Sequence, residues 1–447
     1  MSKTIFNTEE FGSYEFTTQL IEIDNDVFNR TTEQVNKIIN TDNLIELNDK
    51  DLELYKTYVH EMTHFLDSTT TIWGVEYSER LNRYYKYQNE QTLEVLAIND
   101  AEITSNDNNL TVNDSISKFS TIKYKLEYSK ELGVVVVIHF LDEYENALHL
   151  ASLSMLALLE GHAYVKEQLV AIKRHKLEND LVELARFKKE IKEKNLEVKS
   201  CEYTVYLALS IQLIPDIDIE IHLNILCKIF EICLDLPSIY LASTPYFLFD
   251  MAFVNCDSQE FISQLKLEFA RGHNRHVLAL LLLCLVLNKI HNNIIHIDAN
   301  FVDNLEMYIL EDFGSDGESF DELLKLIKRH WQIEMESSIS LLKDLDAELP
   351  VSMATQRMSL GWGVQNFENY NLPDITTNFV DKVSFNKRLD FDTEQYYNQV
   401  EEKSKLLKKE IASYGIRRDH ASPEFSHGFL EWIQENPKRG IYTHFYD

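Results

Sequence analysis

Proline and glycine are scarce, 7 and 12 among 447 residues, so little interrupts a helix and long helices are expected to dominate. Basic residues are in deficit too: 43 Lys and Arg against 73 Asp and Glu leave a formal charge of -30. That balance excludes a general nucleic-acid or anionic-membrane binder, which needs a basic surface to displace counterions from phosphates. The five cysteines, Cys201, Cys227, Cys233, Cys256 and Cys284, form no CxxC pair and read as reduced core thiols of a reducing compartment. No apolar run approaches the roughly 20 residues that span a bilayer. The longest, Val277 to Leu287, reads as a buried helix. The first residues, MSKTIFNTEEFGSYEF, lack the basic-then-apolar pattern of a signal peptide, so a cytoplasmic location is expected. A phosphate-cradling glycine loop and a G-x-S-x-G elbow are both missing, which leaves nucleotide chemistry and serine hydrolysis without sequence support.

What is present reads as a mainly α protein of the α+β class, a small sheet set in a large helical body. Residues 13 to 28 alternate with β-branched and aromatic side chains and predict one or two strands in an N-terminal segment, 1–48. A core over 49–200 begins with a helix led by Asp49, Asp51 and Glu53, followed by a second helix from Thr71 to Gln91 and an exposed loop over 97–114. Phe119 to Tyr128 and Val134 to Leu141 predict a hairpin, and the chain from Ala151 to about Lys194 reads as helix. A helical domain is expected over 201–349 and a C-terminal module over 350–447.

The most informative segment is Tyr58-Val59-His60-Glu61-Met62-Thr63-His64-Phe65-Leu66. Histidines four apart on a helix stand one above the other, so both imidazoles can hold one cation while the glutamate between them points to the same place. Leu52, Tyr55, Val59, Met62 and Leu66 form a stripe on the other side, which lets packing and chemistry use different faces. A random chain of this composition shows the bare pattern about 5% of the time, so its neighbourhood matters. Uncharged Met62, Thr63 and Phe65, and the absence of proline, add weight.

With that neighbourhood the segment resembles the active-site helix of the zincin metallopeptidases. The metzincin continuation is absent, since Asp67 stands where glycine is expected and Thr70 where histidine is. A catalytic zinc takes three protein ligands and an open position, so a more distant third ligand is required. Glu160 is the favoured candidate: Leu153, Leu156, Ala157, Ala163 and Tyr164 surround it at helical spacing, and a carboxylate on so apolar a surface needs a partner. Glu76 and Glu79 on the next helix, and Asp67, are its rivals. The run Glu160-Gly161-His162-Ala163 is similar to the second helix of the gluzincins, although Tyr164 occupies the place where many of them carry an acidic residue.

The resemblance, which covers His60 to about Leu169, implies Zn2+ held by His60, His64 and Glu160, with Glu61 as general base in peptide-bond hydrolysis of a protein or peptide substrate. An oxyanion donor or a supporting side chain is sought among His162, Tyr164 and Glu167, with His139, Tyr203 and Arg271 as further oxyanion candidates. Val134 to Leu141 is either an edge that an extended peptide joins or a plain core strand. Roughly three hundred residues outside the core leave room for substrate selection, for restraint of the site, or for a regulatory partner protein. The competing readings are a non-catalytic zincin-like scaffold and a metal-dependent hydrolase of another amide or ester.

Arg271, His273, Arg275 and His276 form a basic cluster that reads as a solvated helix start, with anion binding as its functional alternative. His420 and His427, near Arg417 and Arg418, have no spacing that demands a role.

Overall fold

A computed structural model describes residues 12–24, 28–104, 118–129, 133–195, 201–253, 259–270, 274–314, 317–377 and 381–413. The chain is mainly helical, 66% helix, with two small sheets. The tail bearing His420 and His427 lies outside the described residues, as do Arg271 and His273.

Two short strands, β1 (Gly12–Glu15) and β2 (Leu20–Ile23), pair antiparallel as Tyr14↔Ile21 and Glu15↔Leu20. Helix α1 (Thr32–Ile39) starts with a capping box between Thr31 and Gln34. Helix α2 (Asp49–Thr70) carries the two histidines. Its N-cap, Asn48, accepts from the Lys50 and Asp51 backbone N–H groups, and the first-turn acids Asp49 and Asp51 complement the helix dipole. At its far end Thr69, Thr70 and Thr71 bond back to the carbonyls of Phe65, Leu66 and Asp67. Thr71 also accepts from Gly74 N–H at 3.0 Å and so caps α3 (Ile72–Tyr87). A side chain at position 74 would put its Cβ 2.0 Å from the Asp67 carbonyl oxygen, so this junction requires glycine.

Helix α3 ends earlier than the hydropathy pattern implies, at Gln88, which adopts a left-handed conformation (φ 44°) and donates its N–H to the Tyr84 carbonyl. Helix α4 (Glu90–Thr104) then occupies the start of the expected loop, and the rest of that loop lies outside the described residues. The hairpin forms as β3 (Thr121–Ser129) and β4 (Gly133–Leu141), in register from Thr121↔Leu141 to Ser129↔Gly133. A third strand, β5 (Ala147–Ser152), pairs with the other side of β4, so β4 is the central strand and offers no edge to a peptide.

The helical region after the sheet divides into α5 (Met155–Leu177), with Ser154 as its N-cap, and α6 (Leu181–Lys194), with a left-handed Asn179 between them. Helices α7 (Cys201–Leu213) and α8 (Ile219–Asp235) follow, and both pack on α5. About forty residues further along the chain, the apolar run Val277 to Leu287 is buried throughout. Among the described residues no helix is long and apolar enough to cross a membrane. Arg275 and His276 are buried rather than solvated, and the Arg275 guanidinium donates to the Cys233 and Leu236 carbonyls at the end of α8, 2.8 Å each.

Late in the chain, β6 (Ile375–Thr377) pairs parallel to β2 and antiparallel to β7 (Asp381–Val383), completing a sheet of order β1-β2-β6-β7. Strand β1 is therefore an edge, and it packs on α2. Helix α5 packs on another side of α2. Covered in this way, α2 is buried all round from Glu61 to its end: Glu61, Thr63, His64 and Asp67 are about as inaccessible as the apolar stripe of Leu52, Val59, Met62 and Leu66.

Candidate metal centre

His60 and His64 lie one turn apart on α2, and Glu160 reaches them from α5. Nε2 of His60 is 3.2 Å from Nε2 of His64, and Oε2 of Glu160 is 3.2 Å from the first and 3.4 Å from the second. Ligand atoms each 2.0–2.2 Å from a tetrahedral ion stand roughly 3.3–3.6 Å apart, so the triangle has about the dimensions of one face of a zinc coordination sphere. Two neutral imidazole nitrogens and a carboxylate oxygen are also the donor types that zinc accepts. The group could hold a metal ion.

The charges of these side chains balance one another. Burial opposes a charge on Glu160, yet His64 and His60 outweigh it and hold the carboxyl well below the usual range. Burial likewise opposes a proton on His60, and Glu160 and Glu167 overcome it, raising the imidazole well above its ordinary value. Nδ1 of His60 faces Oε2 of Glu167 at 3.4 Å, and the other Glu167 oxygen takes the Lys56 ammonium at 3.2 Å. Burial works against ionised Glu167, but His60 and Lys56 hold it down at about 2. His64 has no equivalent. Its Nδ1 is buried without a hydrogen-bond partner, and its ring is held between Tyr14 and Phe16, with centroids 6.4 and 5.8 Å away.

Glu61 is 7% exposed. Burial pushes its carboxyl up from the ordinary value against the pull of His60 and His64, and the Tyr14 backbone N–H donates to it. Edge strand β1 thus lies directly on this glutamate. A Cβ at Gly12 would be 2.8 Å from Thr57 Cγ2 and 3.0 Å from Glu61 Cγ, so only glycine permits that approach.

The other residues singled out in the sequence fall at different distances from this centre. Tyr164 stands one turn beyond Glu160 on α5, with its hydroxyl proton tightened by burial and by Glu167. His162 turns away: its Nδ1 is 2.9 Å from Asp67 Oδ2. Among the rivals to Glu160, Asp67 is thereby committed to His162 and Glu79 bonds to Arg83; the ligand group contains neither of them, nor Glu76. His139 bonds to Glu127 at 3.3 Å within the β3–β5 sheet, and the Tyr203 side chain lies outside those described. The contribution of β1 was not legible, because nothing in GSYE marks it as the strand over Glu61. Lys56 left a weak signal, being one turn before His60.

No protein family, curated protein or solved structure matches the chain.

Proposed function

We propose that the protein is a zinc-dependent peptidase whose ion is held by His60, His64 and Glu160 and whose general base is Glu61. One observation carries this reading: three ligand atoms from two helices converge at 3.2, 3.2 and 3.4 Å, and the turn that bears both histidines also bears a buried carboxylate, Glu61, that a metal would not require as a ligand. A purely structural zinc site has no need of such a base and usually closes with a fourth protein ligand. A divalent ion bound there supplies Lewis acidity, which makes water acidic near neutral pH and polarises a carbonyl. The raised affinity of Glu61 for a proton suits a group that takes one from water and returns it to a leaving amine. Glu167 keeps His60 oriented, with Lys56 fixing Glu167 in turn. Tyr164 is the side chain we place as donor to the developing oxyanion. Because β4 is central in its sheet, we place an extended peptide along edge strand β1, which packs on α2 beside Glu61.

A second reading, a metal-stabilised scaffold without turnover, draws support from the cover over Glu61, which already accepts the Tyr14 N–H. Comparing wild type with Glu61→Gln against a proteome-derived peptide mixture, with bound zinc quantified in both, separates the two. Equal zinc and cleavage products that vanish in the variant support the peptidase. Zinc without any cleavage in wild type supports the scaffold, and freshly purified wild type without zinc overturns both.

A further inference from the structure

Helix α5 carries a second cluster on the side away from Glu160. Residues 160 and 162 are separated by about 200° around a helix, so His162 leaves the first centre behind. His162 is 1% exposed. Its Nδ1 is committed to Asp67 at 2.9 Å, while the buried Nε2 makes no hydrogen bond of normal geometry and has the Cys227 thiol as its polar neighbour. A His162 nitrogen, Cys227 Sγ and a Glu231 carboxylate oxygen lie within 4.8 Å of one another, with the sulphur 3.8 Å from Glu231 Oε1. With Nδ1 engaged, Nε2 is the nitrogen left to serve that group.

We propose that His162, Cys227 and Glu231 form a second divalent-metal site, suited to a zinc-class ion. The donor chemistry selects the class. A thiolate and an imidazole favour zinc or a similar borderline-soft ion over magnesium or calcium, which take oxygen ligands. The Asp67–His162 bond is the arrangement that ligating histidines commonly have, a carboxylate fixing the ring through one nitrogen; burial opposes a proton on this ring but Asp67 raises its pKa to about 9, so an ion must displace a proton to reach the Nε2 lone pair. Such an ion also satisfies the buried Nε2, which has the Cys227 thiol beside it but no hydrogen bond of normal geometry.

Two lysines hold the carboxylate meanwhile, Lys166 at 2.5 Å from Glu231 Oε1 and Lys228 at 2.7 Å from Oε2. The Lys166 ammonium takes the place of positive charge beside Oε1 and must move aside for an ion. Lys166, His162 and Asp67 line a cavity of about 550 Å³, which leaves the lysine side chain space to move into. An ion there would tie α8 to α5 directly behind the first centre, and to Asp67 of α2 through His162. The site does not depend on the peptidase reading.

Cobalt separates the two centres, because only the second has a sulphur ligand. Metal-free full-length protein titrated with Co2+ is expected to take up two equivalents and to develop a near-ultraviolet thiolate-to-cobalt charge-transfer band. Cys227→Ser should abolish the band and one equivalent while leaving the other, and the double variant His60→Ala/His64→Ala should keep the band. Lys166→Met, which removes the competing ammonium, should tighten uptake at the second site several-fold. Glu231→Gln provides an independent variant in case Cys227→Ser does not fold; it should weaken the band's titration at least tenfold. Absence of the band in wild type, or its persistence unchanged in Cys227→Ser or, where that variant does not fold, an unshifted titration in Glu231→Gln, overturns the proposal.

Discussion

Glu167 accepts Nδ1 of His60 at 3.4 Å and, through its other oxygen, the ammonium of buried Lys56. This pairing sets which His60 nitrogen would be free to face a metal ion. Removing such an outer partner from a ligating histidine typically weakens metal binding by about 10- to 100-fold. Glu167→Gln, which retains a hydrogen-bonding shape but not the charge, is expected to fall near the lower end, and Glu167→Ala near the upper. Competition titration with a chromophoric zinc chelator measures both, and affinities equal to wild type would remove Glu167 from the centre.

The raised proton affinity of His60 gives metal uptake a definite pH dependence. In the metal-free protein Glu160 and Glu167 overcome the opposing effect of burial, so His60 carries its proton at neutral pH, above the ordinary imidazole range. A metal ligand must be deprotonated, so binding at pH 7 should expel about one proton from His60. Apparent affinity then rises about tenfold per pH unit until the His60 value is passed. Zinc calorimetry in two buffers of different ionisation enthalpy reads the proton count directly. Zero protons released would contradict the assignment.

Gly12 meets Thr57 and Glu61 so closely that a methyl group has no place. Gly12→Ala should force β1 away from α2, with overpacking that costs about 1–3 kcal/mol of stability. The ligands stand on other elements, so zinc content should be retained while Glu61 loses the Tyr14 N–H. The expected signature is full zinc occupancy, a lowered melting temperature and changed cleavage. A variant indistinguishable from wild type in melting would show that β1 does not press on this helix.

How much of this was legible in the sequence depended on whether the relevant spacing was local. His60, Glu61 and His64 repeat with the helical period, and Glu160 sits among apolar neighbours on one helix face, so the chemistry shows through a few consecutive turns. The hairpin was legible for the same reason, its strands alternating and its turn between them. Strand β5 was not, because ALHLAS runs into the apolar start of α5 and short apolar runs do not declare their state. The stripe on α2 assigned packing to one face and chemistry to the other, whereas α5 and β1 pack over the chemical face as well; long-range packing of this kind leaves no periodic trace. The parallel pairing of β2 with β6 is of the same sort, joining Glu22 to Thr376.

A buried ion pair links two helices that are distant in sequence, and its loss should be among the most costly changes outside the candidate metal centre. Asp235, at the end of α8, pairs with the fully buried guanidinium of Arg357. Its carboxylate also takes the Trp331 indole N–H at 2.8 Å and the Ile72 backbone N–H at 3.2 Å, at the start of α3. Asp235 therefore serves three donors, and Arg357 without it would be a buried charge. Removing one partner of such a pair costs about 3–5 kcal/mol. Asp235→Asn keeps two of the hydrogen bonds yet strands the arginine, so it should destabilise nearly as much as Asp235→Ala. Arg357→Met removes the charge and fills much of the volume; combined with Asp235→Asn it should be less destabilising than the sum of the two single changes. Urea denaturation of the four proteins closes this cycle, and strictly additive losses would show that the pair contributes no coupling.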